Sequence, residues 1–234
     1  MKTIGLIGGV SWTSTVEYYR LLNELTSQRT GGSHCARVVL YSLDFGEVER
    51  IHHEERWEEA TKLLVEAAEA LKAAGADFIL ICSNTMHIGA DAVQKGTGLP
   101  LLHIADVTGD AIKGRGLKRV GLLGTKFVME RDFYRKRLEE KFGLEVLLPD
   151  ERGRNVVHRV IYEELCRGVI AEGSRTAYLE IVEGLTQRGA EGIILGCTEI
   201  TLLLKPEDIS VPVFDTTRLH AEAAVRMALE EDGC

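Results

Sequence analysis

The residues of this sequence that could perform chemistry lie in two similar stretches, "GADFILICSNTMH" at residues 75–87 and "GAEGIILGCTEI" at residues 189–200. In each, an apolar run typical of a buried strand is followed at once by thiol, hydroxyl or other polar side chains. A thiolate acts as a general base when dipoles or neighbours lower its pKa, and a hydroxyl group can donate or relay a proton. The two stretches therefore predict acid–base chemistry at the ends of two strands.

The alignment of the two stretches decides which side chains perform this chemistry. Ser83 and Cys197 each lie eight residues after the glycine that opens their stretch, so they correspond, and Cys82 corresponds to Gly196. Because successive strand side chains point to opposite faces, we expect Cys82 to pack in the core as an inert thiol. The loops after the strands then present two tripeptides, Ser83-Asn84-Thr85 and Cys197-Thr198-Glu199.

The loop residues also have structural explanations. Each residue of the first tripeptide can cap the helix that follows it. Glu199 either activates Cys197 through Thr198 and backbone dipoles or simply begins a helix. We expect His87 and His103 to be structural.

Three pairs of segments repeat along the chain in the same order. Their offsets are 116, 114 and 112 residues, which indicates that one unit occurs twice. The pairs are "KTIGLIGG" (2–9) with "KRVGLLGT" (118–125), "GADFILICSNT" (75–85) with "GAEGIILGCTE" (189–199), and "LPLLHIAD" (99–106) with "VPVFDTTR" (211–218).

Apolar strand-like runs alternate with helix-like segments, the pattern of βαβ units with right-handed crossovers. The predicted strands are 3–8, 37–43, 77–82, 100–104, 119–124, 144–149, 191–196 and 211–214. The predicted helices are 14–29, 54–75, 130–143, a pair within 155–188, and 218–231.

These elements predict an α/β fold of two pseudo-symmetric lobes, each a mostly parallel four-stranded sheet flanked by helices, with the active site in the cleft between them. The first lobe comprises residues 1–104 and 215–234, and the second comprises residues 105–214.

The charge and the apolar pattern exclude several classes of partner. The net charge is −8, from 36 acidic and 28 basic residues spread along the chain, which argues against nucleic acid or an anionic membrane surface. No apolar run approaches the roughly 20 residues of a membrane helix, and the N-terminus lacks a signal-peptide pattern. We therefore expect a cytoplasmic protein.

The remaining cysteines and histidines give no cofactor signal. The five cysteines are scattered, odd in number and without a C-x-x-C pair, so we expect neither a disulfide framework nor a zinc site. Cys35, Cys166 and Cys234 are expected to be inert, Cys166 on a helix face. The "HHEE" run at 52–55 lacks a third ligand at suitable spacing, so no metal is expected.

Two equivalent loops that face one cleft can contact a small ligand from opposite sides. Inversion at a carbon atom needs this geometry, because one group removes a proton from one face and another returns a proton to the other face. The Asn and Thr residues of the loops, with backbone N–H groups at strand-to-helix turns, can hold a carboxylate. The turn "GGVSWTST" (8–15) is a further such site, with Ser11, Thr13 or Ser14 as N-cap.

Over essentially its whole length the chain resembles the aspartate/glutamate racemase family, on "KTIGLIGGVSW", on "SNTMH" where the family commonly has Cys-Asn-Thr, and on "GCTE" with "VPVFDT". The resemblance implies a cofactor-independent racemase of acidic amino acids that needs no pyridoxal phosphate and acts as a homodimer with two opposed cysteines. The substrate-binding residues expected from it are Ser11, Asn84, Thr85, Thr125, Thr198, Glu199 and Tyr162.

The sequence departs from the family at the first of the two cysteines, where it has Ser83. It resembles the subset in which a hydroxyl residue stands there and only Cys197 is a thiol. A serine alkoxide is negligible at pH 7, so Ser83 is a poor base that can still donate a proton. The resemblance then implies that Cys197 deprotonates the L-amino acid and Ser83 serves the opposite face.

The residues expected to bind the substrate's side-chain carboxylate also depart from the family. Aspartate-specific members have an arginine after the second strand, where this chain has Arg50, with His52 or His53 as substitutes. They have a lysine after a tyrosine in the second lobe, where this chain has Cys166 after Tyr162. Aspartate and glutamate therefore both remain candidate substrates.

Two other functions fit the same residues. A one-cysteine decarboxylase of the arylmalonate type needs to protonate only one face of its substrate, so a single thiol would suffice. A binding protein could use the same loops to recognise acidic amino acids without catalysis. Release of CO₂ would identify the first, and binding without exchange of the Cα proton would identify the second.

Overall fold

The structure is a computed structural model that describes residues 1–230 of the chain. The chain divides into two compact units, residues 1–103 with the residues from 220 onward, and residues 104–219. The sequence analysis placed these boundaries after residues 104 and 214. Cys234 and the last residue of the predicted helix 218–231 lie outside the described residues.

The first unit is built on a parallel sheet of three strands, β1 (Ile4–Gly8), β2 (Val38–Ser42) and β3 (Phe78–Ile81), in the order β2-β1-β3. Its helices are α1 (Trp12–Thr30), α2 (Phe45–His53), α3 (Trp57–Ala73) and α4 (Ala90–Thr97), with the C-terminal part of α11 (Thr216–Leu229).

Alternation along β1 and β3 covers this sheet on both faces. Ile7, Ile79 and Ile81 pack in one core cluster with apolar residues of α3. Phe78 and Leu80 pack in a second cluster with residues of α1 and α11. Each strand is therefore a nearly continuous apolar run, as expected for parallel strands buried on both sides.

The second unit is built on a parallel sheet of four strands in the order β5-β4-β6-β7. In chain order its elements are α5 (Ile104–Gly114), β4 (Arg119–Gly124), α6 (Lys126–Glu130), α7 (Asp132–Phe142), β5 (Glu145–Leu147), α8 (Glu151–Glu163), α9 (Glu172–Gln187), β6 (Ile193–Gly196), α10 (Ile200–Leu203) and β7 (Val213–Asp215).

The strand registers reproduce the repeat that the sequence predicts. Gly5 pairs with Ile79 in the first unit, and Gly121 pairs with Ile193 in the second. These partners are related by the offsets of 116 and 114 residues that relate the sequence segments. The α/β fold with two helix-flanked parallel sheets is therefore confirmed.

The prediction of four strands in the first sheet is wrong. The segment 100–104 forms only an isolated parallel bridge, in which Leu101 pairs with Ile79. Ile79 N–H donates to the Pro100 carbonyl and Leu102 N–H donates to the Ile79 carbonyl, but α5 begins at Ile104 and ends the extended segment. The equivalent bridge in the second unit, between Ile193 and Val213, continues into the short strand β7.

Several helices also differ from the sequence predictions. Helices α2, α4, α5, α6 and α10 were not predicted, because they are short and lack a long apolar period. The helix predicted at 54–75 begins only at Trp57 in the structure. The preceding residues belong to the end of α2 and to a turn in which Glu55 has φ 52°. No helix within residues 1–230 is both long and apolar enough to span a bilayer.

Candidate active site

Cys82 packs in the core of the first unit, as predicted. Its side chain is fully buried, in the cluster that contains Tyr18 and Phe78. Burial raises the pKa of its thiol well above the usual range, so it stays protonated at neutral pH. Cys82 is therefore unsuited to acid–base chemistry.

Ser83 is half-buried and forms the turn between β3 and a 3₁₀ segment, Thr85–Gly89. Its Oγ accepts a hydrogen bond from Met86 N–H at 3.3 Å, so Ser83 does cap the following turn. This cap uses a lone pair of the hydroxyl oxygen, and the hydroxyl hydrogen remains available for donation. Asn84 and Thr85 are buried in the same turn.

A second turn lies at the same edge of this sheet, because β1 and β3 are parallel neighbours. Ser11 caps α1: its Oγ accepts from Ser14 N–H at 3.5 Å and contacts Thr13 Oγ1 at 2.5 Å. Ser11 has φ 69°, which is unusual for a residue with a side chain. Gly9 precedes it at φ 76°, where a Cβ atom would lie 2.0 Å from the Leu43 carbonyl oxygen. The main chain of this turn is thus tightly constrained.

Cys197 follows β6 in the second unit and is half-buried. Its Sγ donates a hydrogen bond to Glu199 Oε2 at 3.0 Å, and Glu199 is only 4% exposed. Burial, the charge of Glu199 and the neighbouring thiol of Cys166 raise the pKa of Cys197 well above its usual range. Cys197 is therefore a neutral thiol next to the Glu199 carboxylate and not a thiolate.

The contact between Cys197 and Glu199 bears on both explanations given for the glutamate, which also occupies the N-cap position of α10. Glu199 precedes α10, but its side chain makes no capping bond to that helix. Its carboxylate instead accepts from the thiol directly, without Thr198 between them. The carboxylate is thus placed to receive the thiol proton.

Two threonines of α11 that the sequence analysis missed lie near the Cys197 loop. Thr198 Oγ1 lies 2.8 Å from Thr217 Oγ1, and Thr216 Oγ1 donates to the Leu195 carbonyl at 2.9 Å. Both threonines lie in the repeated segment "VPVFDTTR", and this repeat could have identified them as candidate site residues. These bonds hold the end of β6 against the start of α11.

Thr125 lies beside Cys197 in the sheet, because the residues before them, Gly124 and Gly196, are paired. Thr125 caps α6 by accepting from Val128 N–H at 3.3 Å.

Tyr162 is connected to this turn through a histidine that the sequence analysis missed. Lys126 directly follows Thr125, and its backbone N–H donates to His158 Nδ1 at 3.2 Å. The His158 ring packs on Tyr162, with 4.9 Å between ring centroids. The second unit thus brings Cys197 and Thr125 to one sheet edge, with Tyr162 linked to Thr125 through His158.

The candidate partners for a substrate side-chain carboxylate have different environments. His52 is buried, stacks on Trp57 and contacts Met86 Sδ at 3.1 Å through Nε2. Burial lowers its pKa to about 4, so it is neutral and offers no charge to a carboxylate at pH 7. Arg50 and His53 are exposed.

Cys166 does not lie on a helix face as predicted. It lies in a 3₁₀ turn, Leu165–Arg167, after α8 ends, and it is close enough to affect the pKa of Cys197. Cys35 is exposed. Within residues 1–230 no group of three His, Cys, Asp or Glu side chains is placed to hold a metal ion.

Comparison with known proteins places this geometry in context. The model of the family described as "Asp/Glu/Hydantoin racemase" matches residues 7–224. A broad specificity amino-acid racemase, RacX, from Bacillus subtilis (strain 168) is 24% identical over 234 residues, which cover 95% of this chain and 96% of RacX.

Two crystal structures are also similar over almost the whole chain. One, named "a putative Asp/Glu Racemase from Yersinia pestis", is 53% identical with a TM-score of 0.93, and the match covers 98% of this chain and 100% of that one. An aspartate racemase homologue from Pyrococcus horikoshii OT3 is 38% identical with a TM-score of 0.85, with the same coverage of 98% and 100%.

Proposed function

The chain belongs to the Asp/Glu/hydantoin racemase family, and from this premise we propose that it racemises acidic amino acids, with aspartate or glutamate as substrate. In this proposal Cys197 and Ser83 exchange protons with opposite faces of Cα, and no pyridoxal phosphate takes part. The observation that carries the proposal is the hydrogen bond from the Cys197 thiol to Glu199, at the position that the repeat relates to Ser83.

The first step of the proposed reaction removes the Cα proton of the L-amino acid. Glu199 accepts the thiol proton of Cys197, and the resulting thiolate takes the proton from Cα. The thiol is thereby restored, Glu199 holds one proton, and Cα carries the negative charge. A carboxylate in hydrogen-bond contact with the thiol supports this step, because a neutral thiol alone is not a base.

The second step returns a proton to the other face of Cα. The Ser83 hydroxyl donates its hydrogen, the new C–H bond forms, and Ser83 recovers a proton from water. Support comes from the capping bond, in which Ser83 Oγ is the acceptor and keeps its hydrogen for donation. Glu199 then loses its extra proton to solvent, and the pair returns to its starting state.

The α-carboxylate of the substrate is proposed to bind at the turns that follow the strands. Ser11, Asn84 and Thr85 would serve in the first unit, and Thr125 and Thr198 in the second, with Tyr162 beside them. The capping geometry of Ser11 and Thr125 supports this assignment, because N–H groups at the start of a helix favour an anion. Glu199 would act on the substrate through its hydrogen bond with Cys197.

Equilibrium restricts how one-sided this chemistry can be. Enantiomers have equal free energies, so kcat/KM must be the same from L and from D. Because Ser83 is the weaker acid–base group, kcat can still differ between the two enantiomers, provided that KM differs by the same factor. We expect a higher kcat from L than from D, because the thiol and carboxylate serve the L-substrate.

The proposal includes a homodimer that acts in the cytoplasm. Support for a dimer comes from exposed apolar side chains on α1, where Trp12, Val16 and Tyr19 recur at helical spacing, and on the edge strand β2, where Leu40 and Tyr41 are exposed. Light scattering coupled to size exclusion tests this, and a monomer across the micromolar range would contradict it.

Proton NMR in D₂O tests the proposed reaction. The protein is incubated with L- and D-aspartate, L- and D-glutamate and a broader amino-acid panel, and the product enantiomers are resolved by chiral chromatography. We expect loss of the Cα proton together with appearance of the other enantiomer, and loss of both in Cys197→Ala. The matched control Cys35→Ala removes an exposed thiol and should be fully active. Absence of exchange with every substrate would refute the proposal.

One alternative has a specific observation in its favour, since only one of the two loops carries a thiol. A decarboxylase needs one proton donor, and a neutral Cys197 thiol could be that donor. Release of CO₂ from an arylmalonate, without Cα exchange of amino acids, would favour this alternative.

A further inference from the structure

A cluster of buried histidines lies behind the Ser83 turn in the first unit. His87, His103 and His220 are 2%, 6% and 0% exposed. The ring centroids of His87 and His103 are 4.7 Å apart, and those of His87 and His220 are 5.5 Å apart. Nothing in the proposed reaction uses these three imidazoles, so their hydrogen bonds need a separate explanation.

The hydrogen bonds of His220 fix its tautomer. Its Nε2 lies 2.8 Å from the Leu102 carbonyl oxygen, which can only accept, so Nε2 carries the hydrogen. Its Nδ1 must then accept from the Tyr18 hydroxyl, also at 2.8 Å. Burial lowers the pKa of His220 to about 3, with a contribution from His87, so this imidazole is neutral at pH 7. His87 therefore packs against a neutral imidazole that two hydrogen bonds hold in place.

The same reasoning fixes one nitrogen of His87. Its Nδ1 lies 2.6 Å from the carbonyl oxygen of Ser83, so Nδ1 carries a hydrogen and donates it to that carbonyl. The ring is buried and packs against both His103 and His220. One donor of a rigid, buried side chain thus holds the main chain of Ser83.

The Ser83 residue is therefore held at two atoms. Its carbonyl accepts from His87, and its Oγ accepts from the backbone of Met86. Neither bond uses the hydroxyl hydrogen of Ser83, which therefore stays available for donation.

In the second unit the residue equivalent to His87 also donates to a loop carbonyl, but to the one that follows the equivalent of Ser83. The offset of 114 residues relates His87 to Thr201, whose Oγ1 donates to the carbonyl of Thr198, in the Cys197 loop, at 2.7 Å. In both units a side chain near the start of the post-strand helix thus donates to a loop carbonyl.

We infer that His87 is a positioning residue for the Ser83 face of the reaction, which holds the Ser83 hydroxyl where it can protonate Cα. The inference rests on the proposed function. Loss of the Nδ1 hydrogen bond would let the Ser83 turn relax, while the Cys197 loop, on the other unit, would be unaffected. The carbanion formed from the L-substrate would then be reprotonated by Cys197 rather than by Ser83, and in D₂O this return incorporates deuterium once the thiol hydrogen has exchanged with solvent.

The test compares inversion with exchange, starting from L-substrate in D₂O. Proton NMR gives the loss of Cα–H in the unreacted L pool, and chiral chromatography gives the D product. Substitutions of His87 by asparagine and by leucine are a matched pair, since the two side chains have nearly the same shape and leave a similar cavity, but only asparagine can donate. Tyr18→Phe is the control, because it removes a hydrogen bond of the cluster from His220 instead.

In His87→Leu we expect inversion to fall by up to about 10²-fold, because a small misplacement of a reacting group can cost that much, while exchange with retention falls much less. His87→Asn should recover most of the inversion, and Tyr18→Phe should leave the inversion-to-exchange ratio unchanged. An unchanged ratio in His87→Leu, or equal shifts in His87→Leu and Tyr18→Phe, would overturn the inference.

A measurement on the unsubstituted protein covers the case in which the His87 variants do not fold. Nitrogen-15 NMR of the imidazoles should show a hydrogen on His87 Nδ1 that exchanges slowly with solvent, and a His87 protonated on Nε2 alone would refute the inference. Absence of any exchange activity in the unsubstituted protein would instead refute the proposed function, and this inference would fall with it.

Discussion

Replacement of Glu199 by glutamine should change thiol reactivity and racemisation in opposite directions. The carboxylate accepts the Cys197 S–H bond at 3.0 Å, which stabilises the neutral thiol, and its charge opposes a thiolate; both effects raise the thiol pKa. At this distance the interaction between two unit charges is worth ~1.4 kcal/mol at the dielectric constant of water and ~5.5 kcal/mol at an effective dielectric constant of 20. A hydrogen bond to a charged group contributes about 1.5–3 kcal/mol, so removal of this charge in Glu199→Gln should lower the pKa of the Cys197 thiol.

Two assays measure these opposite effects. The rate of Cys197 alkylation by iodoacetamide, followed by mass spectrometry of its peptide, should reach half-maximum at a lower pH in Glu199→Gln than in the unsubstituted protein. Racemisation should nevertheless fall by about 10²–10⁴-fold, because the variant lacks the group that takes the thiol proton. The substitution should also make kcat/KM from L rise with pH, since the thiol must now lose its proton to solvent.

A control variant and two possible results test the role of Glu199. Glu163→Gln removes an exposed carboxylate of the same unit and should change neither assay. An alkylation midpoint in Glu199→Gln that is equal to or higher than that of the unsubstituted protein would refute the electrostatic argument. Full racemisation by Glu199→Gln at pH 7 would refute the proton-acceptor role.

Three further substitutions test other parts of the structure. Ser83→Cys should raise kcat from the D enantiomer, measured by initial rates, because it places a thiol on the face that lacks one; an unchanged kcat from D would contradict the repeat argument. Cys166→Lys should shift Cys197 alkylation to lower pH, because a cation would replace a thiol that raises the pKa of Cys197; a shift to higher pH would contradict this. Gly9→Ala should lower the free energy of unfolding, measured in urea, well beyond the ~1–2 kcal/mol that positive φ alone costs a residue with a side chain. Gly31→Ala is its control, because Gly31 has φ 72° with open space around it, and equal losses in both variants would show that the clash at Gly9 is relieved.

The fold could be predicted from the sequence because the same pattern of strands occurs twice along the chain. Buried parallel strands leave long apolar runs, and the three repeated segments fix which strands correspond. The same alternation placed Cys82 in the core and Ser83 one residue beyond it, and the burial of Cys82 bears this out. The failures occurred where an element is short, as in the bridge at Leu101. There two hydrogen bonds and the start of the next helix, not residue type, decide the outcome.

The details of the site could be predicted less well. Spacing places Glu199 two residues after Cys197, but it cannot show whether the carboxylate turns towards the thiol or caps the helix. The low pKa of His52 depends on how deeply the fold buries its ring, and the Nδ1 hydrogen of His87 depends on where the turn places the Ser83 carbonyl. Such contacts arise from packing and leave no periodic signal.

The most direct test of the proposed two-face chemistry is a comparison of initial rates from the two enantiomers of the preferred substrate. With the unsubstituted protein at pH 7, we expect kcat to be higher from L than from D, with a compensating difference in KM and equal kcat/KM. This asymmetry follows from a thiol–carboxylate pair on one face and a lone hydroxyl on the other. Equal kcat values from both enantiomers would contradict the assignment of Cys197 and Ser83.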